Sequence, residues 1–404
     1  MKKYLLIVTL LFITANISHA QYAWYQKTNV GGVNRQSAVG FCIGQMGYIG
    51  TGRNLETQTM LQDFWRYDPV NDSWTQVADF GGTARYAASC FVINDTAYVG
   101  CGSDNMVFHF VKDFWKYNQG TNTWTQVADF GGNPRYSASA FAIGTNGYVG
   151  TGFDQVTPWY NDFWEYNSLT DTWTQKANFI GGARQQGVGF AIGSYGYLGT
   201  GWSGNTVADF YKYDPSNDTW SQIADLPTPG TSMTCFVLMN EGYVGTGSET
   251  YPAVNLLNQF WRYTPSANTW TPVANCSPTP RFNAVAFTID SAGYCGTGGF
   301  LNFNNHDTVD FWKYAPSGVG VNDIIKKELS INIFPNPLTD KLNVTVNNKE
   351  LSEIILYDIA SAKILQQKFT NRISLNISQF KKGIYIYEVR NKNGVIKKGK
   401  VVKD

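Results

Sequence analysis

Six copies of one pattern, spaced about 50 residues apart, constrain this chain more than any other feature of its sequence. A Gly-x-Gly element following a Tyr recurs at Gly50, Gly100, Gly150, Gly199, Gly245 and Gly296. A Phe followed by Trp or Tyr recurs at Phe64, Phe114, Phe163, Phe210, Phe260 and Phe311. A lone Trp recurs at Trp24, Trp74, Trp124, Trp173, Trp220 and Trp270, so its first copy precedes every other marker and no copy follows Phe311-Trp312. A chain that repeats at this length builds one supersecondary unit per copy and stacks the units to bury a shared core.

Each unit reads as four short strands, for example "RYSASAFAI", "GYVGTG", "DFWEYN" and "TWTQKA" within residues 135–177, separated by turn residues. No amphipathic helix is apparent. Four strands per copy at this period is what a β-propeller blade requires, and radial repetition leaves few open sheet edges. Residue size orders the strands. Ser137, Ala138, Ser139 and Ala140 suit the crowded axis, and the Trp-bearing strands suit the rim, where wide gaps need large rings worth roughly 1.5–3 kcal/mol of burial each.

With glycines closing the second strand, a Tyr in the third (Tyr67, Tyr117, Tyr166, Tyr213, Tyr263, Tyr314) and a Trp opening the fourth, residues 22–316 resemble the kelch repeat of galactose-oxidase-like propellers. Gly-Thr-Gly or Gly-Cys-Gly stands where the kelch pattern has Gly-Gly, which marks a divergent subfamily. The expected fold is all-β: a six-bladed propeller over residues 21–316. Trp24 to Arg35 spans the same eleven positions as Trp74 to Arg85, so the N-terminal strand is expected to complete the last blade and close the ring, with Trp24 as the closing residue.

Residues 1–20 carry Lys2 and Lys3, an apolar run and Ser18-His19-Ala20, and read as a signal peptide. No later stretch is long and apolar enough to span a membrane as a helix. Residues 317–329 read as a linker, and residues 330–404 as a small antiparallel β-sandwich. Pro335-Asn336-Pro337 near its start, the turn before Gly383 and the basic end make this tail resemble the C-terminal sorting domain of the type IX secretion system. The resemblance implies a Bacteroidota-type bacterium, Sec export to the periplasm, then handling by the type IX machinery, with the product secreted or held at the outer-membrane surface. Charge follows the same division. Residues 21–330 hold 16 Lys and Arg against 24 Asp and Glu, and residues 331–404 hold 13 against 6. An acidic body lacks the clustered basic surface that nucleic acid needs.

For a functional face, the loops between second and third strands differ most among copies and are rich in Asn, Asp and aromatics, Trp159, Trp202 and Tyr251 among them. On the same face are expected the residues opening each first strand: Arg35, Arg85, Arg135, Arg184 and Arg281, with Thr231 in blade 5. A ring of guanidiniums at a channel mouth suits a carboxylate-bearing ligand; the other reading is that a residue kept in nearly every blade serves the blade, for instance by satisfying loop carbonyls. Blade 5 also has Gln259 where the others carry Asp63, Asp113, Asp162, Asp209 and Asp310, which makes it the place where specificity enters, flanked by Arg184 and Arg281 with Tyr251 as a stacking surface. His109 and His306 are the only histidines after the signal, too few for copper oxidase chemistry, so no metal, cofactor or catalytic residue is expected. Six cysteines show no zinc spacing; with a turn over Asn94 to Ala97, Cys90 and Cys101 fall opposite one another and suit a disulfide. The function expected is a binding or interaction module for a glycan or a protein. The alternatives are a carbohydrate-active enzyme similar to sialic acid mutarotases and a passive surface protein. A deep mouth with an Arg next to a buried Glu or Asp would favour the enzyme.

Overall fold

Runs of five residues joined by turns of two leave the backbone one economical arrangement, the antiparallel hairpin. Asn94 and Asp95 both take positive φ, as the tight primed hairpin turn requires, and the strand resumes at Thr96. The computed structural model describes residues 22–104, 109–157, 159–300, 306–317, 331–334, 340–346, 351–358, 362–391 and 394–403. Among them are six four-stranded antiparallel sheets that follow the repeat. Blade 3 is typical, with strands Ser139–Ile143, Asn146–Gly150, Phe163–Asn167 and Thr172–Lys176. First strands neighbour one another around an axis and line a channel of small side chains, including Ala38, Ala88, Ala138 and Gly187. Second strands are buried on both faces, and fourth strands are largely exposed at the rim.

Blades mesh through a size exchange. The Phe91 ring lies where a Cβ on Gly147 would stand, at 2.2 Å, so a glycine in the second strand of one blade receives the phenylalanine of the blade before it. At the rim each Trp indole donates to a carbonyl of the preceding blade: Trp74 to Thr28, Trp124 to Ala78, Trp173 to Ala128, Trp220 to Ala177 and Trp270 to Ala224. Trp24 makes the sixth such bond, to Ala274 at 2.8 Å. Its strand, Tyr22–Lys27, pairs with Phe311–Pro316 in the sheet of blade 6, with Trp24 opposite Tyr314. The ring is closed by the N-terminal strand.

Two details differ from the sequence reading. First strands begin at Ser139 and its equivalents, four residues later than expected, because the residues before them turn across the channel mouth; Ser137 has a φ of 55°. The two-residue turn sets Cys90 opposite Val99, not Cys101, and both are free thiols, so the expected disulfide is absent.

The chain divides into two compact units, Met1–Val319 and Gly320–Asp404. In the second, a sheet of Ile331–Phe334, Lys341–Val346 and Arg372–Asn376 and a sheet of Lys363–Thr370, Leu351–Tyr357, Gly383–Asn391 and Gly394–Lys403 enclose Leu342, Val344, Ile354, Leu356, Val389 and Val401. Gly383 opens the third strand of the larger sheet. The signal segment 1–20, most of the linker and Pro335-Asn336-Pro337 lie outside the described residues.

Candidate functional site

Six residues with φ of 50–57° encircle one end of the channel: Ser37, Ala87, Ser137, Gln186, Ser232 and Asn283. Each donates its backbone N–H to the carbonyl of its counterpart in the preceding blade, Ala87 to Ser37, Ser137 to Ala87 and on to Ser37 to Asn283, at 2.8–3.2 Å. This closed hoop satisfies backbone groups that would otherwise be buried without partners and fixes the rim of the mouth. The residue before each hoop position is Gln36, Tyr86, Tyr136, Gln185, Thr231 or Phe282, and each forms a bridge to the residue that follows the Gly-x-Gly of its own blade.

The hoop also sets the alignment of the arginines. Gly52 donates to the carbonyl of Arg85, and the corresponding donor in blade 4, Gly201, donates to Gly230. Gly230, not Thr231, therefore stands at the arginine position of blade 5. Thr231 is the counterpart of Gln36, fully buried, with its hydroxyl donating to Gln186 Oε1 at 2.8 Å.

The five arginines do not face the mouth. Their side chains are 0–1% exposed, and each chelates the aspartate just before its blade's Phe-Trp or Phe-Tyr pair: Arg35 to Asp63, Arg85 to Asp113, Arg135 to Asp162, Arg184 to Asp209 and Arg281 to Asp310, at 2.5–3.0 Å. Nη1 also donates to the carbonyl of the middle residue of Gly-x-Gly at 3.0–3.2 Å. That residue, Thr51, Cys101, Thr151, Thr200 or Thr297, holds a φ of 57–64°, a conformation costly for any side chain and most for a β-branched one. The clamp holds it there. Burial raises the Asp113 and Asp310 carboxyls, but the arginine's hydrogen bonds and charge outweigh burial and hold both below the usual range. Buried and committed to a carboxylate and a carbonyl, these guanidiniums do not line the mouth, Arg184 and Arg281 included, so the expected arginine ring is absent from it.

The mouth itself is a cleft of about 370 Å³ walled by Tyr86, Tyr136, Tyr251, Phe282 and Phe300 and floored by the hoop. Of the expected aromatics, Tyr251 is here, 42% exposed, its ring 4.9 Å from that of Trp202, which supports it from behind. Trp159 is half-buried in the blade 3 loop and does not line the cleft; its indole N–H is buried without a partner. Burial, with Tyr251 and Tyr86 nearby, pushes the Tyr136 hydroxyl well above its usual range, so it stays protonated.

The charged and imidazole side chains at the cleft come from blades 1 and 6. Arg53 lies over the Tyr86 ring at 4.6 Å, and His306 bonds Glu56 at 2.8 Å. Behind them Asp307, 3% exposed, accepts from the Leu55 N–H at 2.7 Å. Burial pushes its carboxyl up to about 6, although Leu55 and Arg53 pull the other way. Sequence reasoning missed Gln36, Arg53 and Asp307. The signal available was variation: the position after each repeated Arg changes from blade to blade in an otherwise constant context.

Fold and site together define a six-bladed propeller of the kelch class with its candidate site at one end of the channel. The chain belongs to the Kelch-repeat family: the model for the KLHDC2/KLHL20/DRC7 Kelch-repeats domain matches residues 42–247, half of the chain. The secretion system C-terminal sorting domain matches residues 332–403. Among curated protein sequences, none matches the chain. A solved structure titled "Structure of YjhT" superposes with a TM-score of 0.59 at 15% identity, covering 70% of this chain and 95% of that one. That likeness shows the fold alone. The protein is therefore a kelch propeller whose type IX sorting tail implies export, to the medium or the cell surface. No helix among the described residues is long and apolar enough to cross a membrane.

Proposed function

We propose that the propeller is an exported binding module that takes a glycan at the channel mouth. The observation that carries this reading is a concave cleft with aromatic walls and several convergent polar groups, at the lower end of the size range of small-ligand sites, about 300–1,000 Å³. A protein partner would need a surface of roughly 800 Å² on each side, which a cleft this small does not supply by itself. Aromatic faces pack against the apolar faces of sugar rings while hydroxyls reach the polar rim. A glycan array probed with the purified mature protein tests this: retention of defined glycans, reduced at least tenfold by Tyr251→Ala, supports it, and no retained glycan defeats it.

A second reading, a carbohydrate-active enzyme of the sialic acid mutarotase kind, is favoured by one feature: Arg53 stands near a buried carboxylate, Asp307, which changes charge close to neutral pH. Acceleration of anomer exchange in a bound sugar, followed by NMR and lost in Asp307→Asn, would establish it; exchange at the solvent rate would dismiss it. Export proceeds by cleavage of residues 1–20, a periplasmic stage and recognition of residues 330–404 by the type IX machinery. Deleting residues 331–404 should trap a folded propeller in the periplasm, and wild-type levels of the truncated protein in the medium would contradict that route.

A further inference from the structure

Blade 6 departs from the repeat at two positions at once. The residue that leads into each blade, its backbone N–H donating to the loop of the blade before, is Val30, Phe80, Phe130, Phe179 or Leu226 in five blades and Cys276 in the sixth. In the second strand the corresponding residues are Ile49, Val99, Val149, Leu198, Val244 and Cys295. In every blade the two positions fall in one apolar core cluster, Val30 with Ile49, Phe80 with Val99 and so on round to Cys276 with Cys295. Arg281 draws the two segments of blade 6 together. Its Nη2 donates at 2.9 Å to the hydroxyl of Ser277, next to Cys276, and its Nη1 at 3.0 Å to the carbonyl of Thr297, two residues past Cys295. The structure holds both cysteines as thiols, 0–1% exposed. Burial first, and the neighbouring Cys295 thiol second, push the Cys276 thiol well above its usual range. Cys42, Cys90, Cys101 and Cys235, by contrast, belong one each to four other clusters.

We infer that Cys276 and Cys295 are joined by a disulfide in the exported protein. A single cysteine in a core is an ordinary small apolar residue. Two that together replace a packed apolar pair, in a chain whose sorting tail implies export from the reducing cytoplasm, meet the conditions for a bond. The inference is independent of what the mouth binds. The bond forms by exchange with the disulfide of a thiol–disulfide oxidoreductase of the cell envelope. One cysteine thiolate attacks that disulfide, giving a mixed disulfide and a released thiolate; the second cysteine thiolate then attacks the mixed bond and displaces the remaining sulfur. Two electrons pass to the oxidoreductase, which leaves as a dithiol carrying the two cysteine protons. Only a thiolate attacks, and burial keeps Cys276 protonated, so the exchange takes place before the core closes. The bond closes a loop of about 20 residues, from the exit of blade 5 to the second strand of blade 6. That blade takes its fourth strand from the other end of the chain, so the disulfide fastens the seam of the ring to its predecessor.

Counting thiols in the protein recovered after export, from the medium or the cell surface, tests this. Denatured and alkylated without reductant, four of its six cysteines should take the label, and all six should do so after reduction. A non-reduced digest should yield the Cys276 and Cys295 peptides as one linked species by mass spectrometry. Cys276→Ala frees its partner and should label at all five remaining cysteines, whereas Cys90→Ala leaves the bond intact and should label at three. The Cys90→Ala count and the linked peptide keep the test sound if Cys276→Ala is not exported. Six labelled cysteines in the unreduced protein, or a linked pair other than Cys276 and Cys295, overturns the inference.

Discussion

In five blades the carbonyl of the strained Gly-x-Gly residue accepts from a buried arginine that an aspartate chelates, whereas blade 5 has Gly230 in the arginine's place and Gln259 in the aspartate's. Thr246 nevertheless holds the same φ, 56°, as its clamped equivalents. What occupies the vacated space is Met233, 8% exposed, whose Sδ lies 2.6 Å from where a Cβ on Gly230 would stand. The other blades have Ala38, Ala88, Ala138, Gly187 and Ala284 at that position. One molecule thus holds the same backbone turn in two ways, by a buried ion pair and by an adaptable apolar side chain. The comparison matches the general finding that a buried ion pair is hard to break but replaceable as a unit. It also separates two roles that a repeated residue tends to conflate: the arginines serve the blades, and the blade without one contributes Tyr251 to the mouth.

The sharpest way to break this comparison is to remove one half of a clamp. Arg85→Ala leaves Asp113 and the Cys101 carbonyl unpaired and should cost about 3–5 kcal/mol in denaturant unfolding; a loss below about 1 kcal/mol would mean that the clamp is ornamental. Next comes closure, which treats blade 6 as equivalent to the rest although its fourth strand arrives from the other end of the chain. Trp24→Ala should cost about 3 kcal/mol by the same measurement, as expected for truncating a large aromatic that is not fully buried, and an unchanged midpoint would show that blade 6 does not depend on this strand.

Asp307 provides a contrast to the clamped aspartates, since burial there is not outweighed. A carboxyl raised in the folded state from 3.8 to about 6 is one that the fold prefers protonated. The stability attached to protonation is complete below about 3.8 and is lost as pH rises through about 6. Asp307→Asn should accordingly stabilise the protein by about 1–2 kcal/mol at pH 7.5 and by nothing measurable near pH 4; a gain independent of pH would point to packing instead of charge. The smallest effect is expected from transplanting blade 5's solution into blade 2. The triple variant Arg85→Gly, Ala88→Met, Asp113→Gln should fall within about 1 kcal/mol of the parent, far from the loss in Arg85→Ala alone. A triple variant as unstable as the single one would show that the two solutions are not interchangeable.

The ring, its six-fold order and the closing offset of Trp24 were legible because they are written in local patterns that recur at a constant interval. Repetition also made the structural role of the arginines one of the two readings at hand, and the Arg–Asp covariation within the chain, lost together in blade 5, was visible on the page. What was not visible was the partnership itself, because arginine and aspartate lie 25–29 residues apart in sequence and meet only when the hairpins fold. Loops of unequal length also shifted the count by one, which put Thr231 where Gly230 belongs. The Cys90–Cys101 pairing failed for a similarly local reason, a turn two residues shorter than supposed.

Strand order, blade number and the sorting-domain character of the tail follow from sequence alone, since they depend on alternation, side-chain size and motif spacing, all of which are short-range. The mouth does not. Arg53 and Gln36 come from blade 1, Asp307 and Asn283 from blade 6 and Tyr251 from blade 5, and Leu55 N–H meets Asp307 across 252 positions. Ring closure brings these residues together, and the hoop of backbone bonds decides which side chains face the axis and which are buried. Whether a polar group is spent or available depends on its distance to every other group, so only the tertiary structure shows that five arginines are spent on holding the blades.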